Sequence, residues 1–167
     1  MDKTSKPQSF RSDTFHQVYL HLVFAVKYRE EKIRPEFSEE LQKYMTGILQ
    51  KSGNKMLAIK AMPDHVHMLI SYLPRSSVSE IMREVKSCST EFIKRKGWSK
   101  KFKWQEGYGV FSYSRSHVSR VVSYIQNQEE HHRKKSFQEE YLKILKDFAV
   151  EYDSKYVFSW TDEEEKT

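Results

Sequence analysis

His65 and His67 stand two residues apart, and Tyr124 and Gln128 stand four apart later in the chain. Side chains at i and i+2 of a strand share one face. A strand opening at His65 therefore presents two imidazoles side by side, close enough to bind one metal ion. Side chains at i and i+4 of a helix are neighbours, so the Tyr124 phenol and the Gln128 amide lie on one surface. Two imidazoles and a side-chain oxygen, with positions left open, suit Mn²⁺ or Mg²⁺. Such an ion polarises a scissile phosphate and neutralises the charge that develops on it. A tyrosine oxygen attacking that phosphorus becomes covalently linked and keeps the bond energy, which points to strand transfer rather than hydrolysis. A free phenol titrates near about 10, so it needs activation. Taken singly, each residue has an ordinary explanation: a packed strand histidine, a boundary tyrosine, a solvated glutamine. The combination carries the reading.

The elements that must position these groups are legible from periodicity. Val18 to Lys27 reads as a first strand, and Tyr28 to Pro35 as a charged connection. Pro35 or Glu36 to Ser52 reads as a helix with the stripe Phe37, Leu41, Tyr44, Met45, Ile48 and Leu49, ended by Gly53 in a left-handed cap. Lys55 to Ala61 is a second strand, and a turn at Pro63-Asp64 leads into the histidine strand, giving a hairpin. Ser77 to Lys96 is a second helix, stopped by Gly97, and Gly107 to Ser114 is a fourth strand. This β-α-β-β-α-β order predicts an α+β fold: a ferredoxin-like, four-stranded antiparallel sheet with both helices on one face. The other face is expected to be open, with His65 and His67 looking out from it, opposite the core residues Val66 and Met68. Ser116 is positioned to N-cap a third helix running to about His131 or His132, which carries the nucleophile. A fourth runs from Ser136 to about Ala149.

Composition narrows the partners. A formal net charge of +6 and an aromatic content of 14% suit single-stranded nucleic acid, whose phosphates pair with cations while its bases stack on rings. The lone Cys88 excludes a disulfide framework and a Cys-based zinc site within one chain. No apolar run approaches membrane-spanning length and Met1 to Lys6 lacks a signal-peptide core, so a cytoplasmic protein is expected. The basic, aromatic stretch from Lys94 to Trp104 is the first candidate for a DNA surface: Lys94, Arg95, Lys100, Lys101 and Lys103. Arg83 and Lys86 on the preceding helix, and Arg115 and Arg120 near the nucleophile, extend it.

Met62-Pro63-Asp64-His65-Val66-His67-Met68-Leu69-Ile70 closely resembles the His-hydrophobe-His signature of the single-tyrosine HUH transposases, and Tyr124-Ile125-Gln126-Asn127-Gln128 resembles their Tyr-x-x-x-Gln helix. Tyr19 to Arg29, Trp104-Gln105 with Gly107-Tyr108, and Ser114 to Asn127 look like the same family. The resemblance implies an enzyme that cuts and rejoins single-stranded DNA at the ends of insertion sequences, or at repetitive palindromes in the REP-associated branch. It implies a divalent metal (Mg²⁺ or Mn²⁺) and no ATP. His65, His67 and Gln128 would be the ligands, and Tyr124 the nucleophile that forms a 5′-phosphotyrosine link and frees a 3′-OH. It further implies recognition of a DNA hairpin and a homodimer, often with active sites shared between subunits.

The expected organisation is a tail over residues 1–14, a catalytic domain over 15–132, a helical extension over 133–160 and an acidic tail over 161–167. A non-catalytic RNA-recognition-like module with an open aromatic face is one rival. A histidine-triad nucleotide hydrolase is another, and Leu69 stands where its third histidine belongs. A domesticated relative that processes palindromes would use identical chemistry.

Overall fold

The computed structural model describes residues 14–27 and 31–158. The expectations for residues 1–13, for 28–30 of the charged connection, and for the acidic tail lie outside the described residues. Strands β1 (Tyr19–Ala25), β2 (Lys55–Ala61), β3 (His65–Ser71) and β4 (Gly109–Tyr113) form one sheet in the order β2-β3-β1-β4. Each neighbouring pair is antiparallel. This is the ferredoxin-like arrangement. Every residue of β1 is buried, because it lies between β3 and β4 and both its faces are covered. That is why its sequence is apolar almost without interruption.

Helices α1 (Pro35–Lys51) and α2 (Val78–Arg95) cover one face. Leu20, Leu22 and Phe24 of β1 and Val66, Met68 and Ile70 of β3 pack there against Leu41, Met45 and Leu49 of α1 and Ile81, Met82 and Val85 of α2. Ser77 caps α2 in a reciprocal box with Glu80, satisfying two otherwise orphaned donors. Gly53 (φ 83°) and Gly97 (φ 71°) take the left-handed conformation just beyond α1 and α2, where a side chain would be strained.

The opposite face of the sheet is closed, which corrects the expectation of an open one. The apolar stripes of the C-terminal helices need burial as much as the sheet does. Val121 and Ile125 of α3 (Val118–Gln126) pack on Ala58 and Leu69. Phe137 and Leu145 of α5 (Phe137–Asp147) pack with Val23, Ala25 and Phe111. An RNA-recognition-like reading needs that face exposed, so it loses its basis. The expected third helix is also interrupted. Residues Arg115–His117 form a 3-10 turn, so Ser116 is not the cap. The chain breaks at Asn127 (φ −93°, ψ 19°) before α4 (Gln128–His132). The fourth helix ends at Asp147, and a short α6 (Ser154–Val157) follows.

Candidate active site

The site forms where the start of β3 meets α3, α4 and α5. Register places Ala25 opposite His65 and Val23 opposite His67. His65 and His67 are fully buried beneath the helices. Asp64, in the turn before β3, holds His65 from behind through Oδ1, 2.7 Å from Nδ1. Burial alone would raise the Asp64 carboxyl, but the His65 ring beside it outweighs that and lowers it. An ionised carboxylate only accepts, so His65 Nδ1 carries the proton and Nε2 offers its lone pair to the site. His67 Nδ1 lies 2.8 Å from His21 Nε2 on β1. Burial first, and the neighbouring His67 second, hold His21 well below the ordinary imidazole range, so it is neutral. Burial likewise pushes His67 down to about 4. His67 is therefore available as a neutral donor.

Glu140 of α5 enters from the helical side and is 2% exposed. Its Oε1 lies 2.6 Å from His67 Nε2 and 4.0 Å from His65 Nε2, and its Oε2 lies 2.9 Å from His131 Nε2 and 3.0 Å from His132 Nε2. Burial opposes this charge, but His132 and His67 outweigh it and hold the carboxyl far below the usual range. Burial also opposes protonation of His132, and the Glu140 charge outweighs it, raising that imidazole. Donor atoms of His65, His67, His132 and Glu140 all lie within 4.8 Å of one another. That spacing fits a divalent ion. Neither Glu140 oxygen has hydrogen-bond alignment with a partner, and the same is true of Nε2 on His67 and His132. Short separations without alignment are what donors show when aimed at a shared point.

Tyr124 lies edge-on to His67, ring centroids 5.9 Å apart, and edge-on to His131 at 5.5 Å. Its phenol is raised by burial first and by the Glu140 charge second, with Gln128 working the other way. Gln128 is buried, and its Oε1 lies 3.5 Å from His65 Nε2. The break at Asn127 thus separates Tyr124 and Gln128 into two helices while leaving both at the histidines. The structure brings His65, His67, Tyr124 and Gln128 together within one chain.

The expected DNA stretch divides. Arg83, Lys94, Arg95, Lys100, Lys101, Lys103, Arg115 and Arg120 are exposed. Phe102 and Trp104 are core residues, and Trp104 Nε1 donates to Ser89 Oγ at 2.9 Å, so neither ring can stack on a base. Lys86 is also committed internally: its ammonium donates to the carbonyls of Gln105, Glu106 and Gly107. All three of its donors are used, which removes it from the phosphate-contact set.

Sequence reasoning missed His21, His131, His132 and Glu140. His21 shares a face with Val23 and Ala25, but only the pairing register brings it to His67. Glu140 left a usable signal: a carboxylate three residues after Phe137 and four before Ile144 sits inside an apolar stripe, where an unpartnered charge is costly.

A family profile described as IS200-like transposase matches residues 14–128. The ISDra2 transposase TnpA of Deinococcus radiodurans is 26% identical over 120 residues, 68% of this chain and 85% of that protein. The IS200 transposase of Salmonella typhimurium is 27% identical over 114 residues, 65% of this chain and 74% of the relative. Among solved structures, a Deinococcus radiodurans chain described as a candidate transposase superposes with a TM-score of 0.57 at 24% identity, covering 70% of this chain and 95% of its own. A REP-associated tyrosine transposase bound to a REP hairpin gives 0.53 at 15% identity, covering 75% and 74%. The matches fall on one class of enzyme, the transposases. This chain belongs to the IS200-like transposase family, and membership implies DNA endonuclease and strand-transfer activity. Among the described residues, no helix is long and apolar enough to cross a membrane.

Proposed function

We propose that this chain cuts and rejoins single-stranded DNA through Tyr124. The carrying observation is that Tyr124 and Gln128 meet the buried pair His65 and His67, which lies far from them in sequence, with Gln128 buried and Tyr124 half-buried beside the rings. His65 and His67, with Gln128 as an oxygen donor, would hold a divalent ion, Mg²⁺ or Mn²⁺. When bound, that ion supplies charge neutralisation at the scissile phosphate. The chain's own residues do the rest. Tyr124 Oη gives its proton to water and attacks phosphorus, the bond to the 3′ oxygen breaks, and the tyrosine keeps the 5′ phosphate while the 3′ oxygen takes a proton from water and departs as a 3′-OH. Attack by an incoming 3′-OH reverses the step and rejoins the strand. The reaction conserves bond energy, so no ATP is consumed.

The substrate reading is single-stranded DNA flanked by a hairpin. It is supported by the net charge of +6 and by the exposed set Arg83, Lys94, Arg95, Lys100, Lys101, Lys103, Arg115 and Arg120. The homodimer and the cytoplasmic setting rest on the family likeness.

Covalent capture tests the reading. The protein is incubated with Mn²⁺ and 3′-labelled single-stranded oligonucleotides tiled across the DNA flanking its gene, then run on a denaturing gel. Label shifted to the protein's mass, and lost with EDTA or in Tyr124→Phe, is the expected result. Hairpin binding without metal and without any captured label would overturn it in favour of a binding module.

A further inference from the structure

Two of the donors that converge on the histidine pair, His132 and Glu140, lie beyond residue 128, where the family match ends. We propose that α4 and α5 complete the metal site, with His132 and Glu140 joining His65 and His67 in a set of three nitrogens and one carboxylate that selects a transition ion such as Mn²⁺ over Mg²⁺. This rests on the reading of His65 and His67 as ligands.

Position supports it first. Glu140 is held in the site by its own helix. Phe137, one turn before it, stacks on the His65 ring with centroids 4.2 Å apart and planes 13° apart, and Leu145 is buried beyond it. Ser136 caps the start of α5 in a reciprocal box with Glu139, fixing where the helix begins. The carboxylate is therefore placed by packing, not by a mobile side chain.

Cost supports it second. A nearly fully buried carboxylate is expensive unless it is paired, hydrogen-bonded or metal-bound. Glu140 meets the imidazoles of His67, His131 and His132 and, beside them, the Tyr124 phenol, a set that brings it no fixed positive charge, and the alignment of a hydrogen bond is missing at both its oxygens. A cation at the shared point satisfies the carboxylate and the three Nε2 lone pairs together.

The surrounding groups support it third. Asp64 and His21 fix the orientation of the two strand imidazoles from behind, which is how ligating histidines are usually held. Ligand chemistry then sets selectivity. Mg²⁺ prefers oxygen donors and retains its water, whereas imidazole-rich sets suit transition ions. Because His132 arrives on α4 and Glu140 on α5, ion binding and docking of these helices reinforce one another.

The test uses the full chain, stripped with EDTA and titrated with Mn²⁺ and with Mg²⁺ by calorimetry. Wild type should bind one Mn²⁺, with Mg²⁺ weaker by about 100-fold or more. Glu140→Gln and His132→Gln should each weaken Mn²⁺ by about tenfold or more and narrow the preference over Mg²⁺. Amide exchange in α5 should slow with Mn²⁺ in wild type and not in Glu140→Gln. Unchanged Mn²⁺ binding in both variants, with loss in Gln128→Ala, overturns the proposal and leaves the histidine-pair reading standing. Unchanged binding in His65→Ala, or none in wild type, removes that reading as well. Circular dichroism monitors folding; if Glu140→Gln does not fold, the partly exposed His132→Gln decides.

Discussion

The imidazoles of His21 and His67 are stacked, centroids 5.0 Å apart and planes 22° apart, with Nε2 of the first 2.8 Å from Nδ1 of the second. For His67 to offer Nε2 to an ion, it must donate from Nδ1, and the neutral His21 is there to accept. His21→Phe keeps the stacked ring and removes the acceptor. Mn²⁺ affinity should fall by about tenfold to 100-fold. Thermal stability without metal should change little. Calorimetry separates the two, and an unchanged affinity would show that packing alone orients His67.

Gly109 on β4 has no space for a side chain. A Cβ there would stand 2.7 Å from the Phe111 ring and 2.8 Å from the Tyr141 hydroxyl. Both rings are packed, and Tyr141 adjoins Glu140 on α5. Gly109→Ala should cost about 1–3 kcal/mol in urea unfolding. It should also loosen α5, seen as faster amide exchange there.

Ala149 closes α5 in a left-handed conformation (φ 52°), with Val150 N–H donating to Leu145 and Ala149 N–H to Lys146. This is the motif in which glycine is preferred, because alanine is strained by its Cβ. Ala149→Gly should stabilise the protein by about 0.5–1 kcal/mol, less the added freedom of the unfolded chain. Chemical denaturation checks it; a loss of stability would contradict the strain argument.

Burial pushes Lys86 down to about 8 from its ordinary 10.5. Between those values the unfolded chain holds more protons than the folded one, so the Lys86 contribution to stability rises with pH across that window. Lys86→Met should remove this rise, seen by comparing urea midpoints at the two ends of the window. A variant that keeps the wild-type slope would mean the three carbonyls hold the proton on Lys86 against burial.

The sheet and the first two helices were legible because local signals agreed. The Pro63-Asp64 turn, the alternation after it, and the stripes ended by Gly53 and Gly97 all favoured one arrangement. The closed second face was not, because nothing local says what a stripe such as Val121 and Ile125 will pack against. The break at Asn127 was hidden for a related reason: the helical period from Tyr124 to Gln128 continues across it. The His65–His67 pair was readable as a motif. Glu140 stood out as a charge inside an apolar stripe, but neither its destination nor that of His132 was readable, since they reach the site only through the docking of α5 and α4, and His21 only through the pairing of β1 with β3.

The strand order carries a consequence for synthesis. β1 leaves the ribosome first, yet it is the middle of the sheet, and β4, one of its two partners, follows only after both helices of the first face. At about 5–20 residues per second, an almost wholly apolar strand waits several seconds with one edge unpaired. Such distant pairings make folding slow and expose the nascent chain to association with its neighbours. The hairpin of β2 and β3 forms locally and emerges earlier than β4. It can shelter the other edge of β1, so the histidine pair is assembled before the tyrosine helix exists.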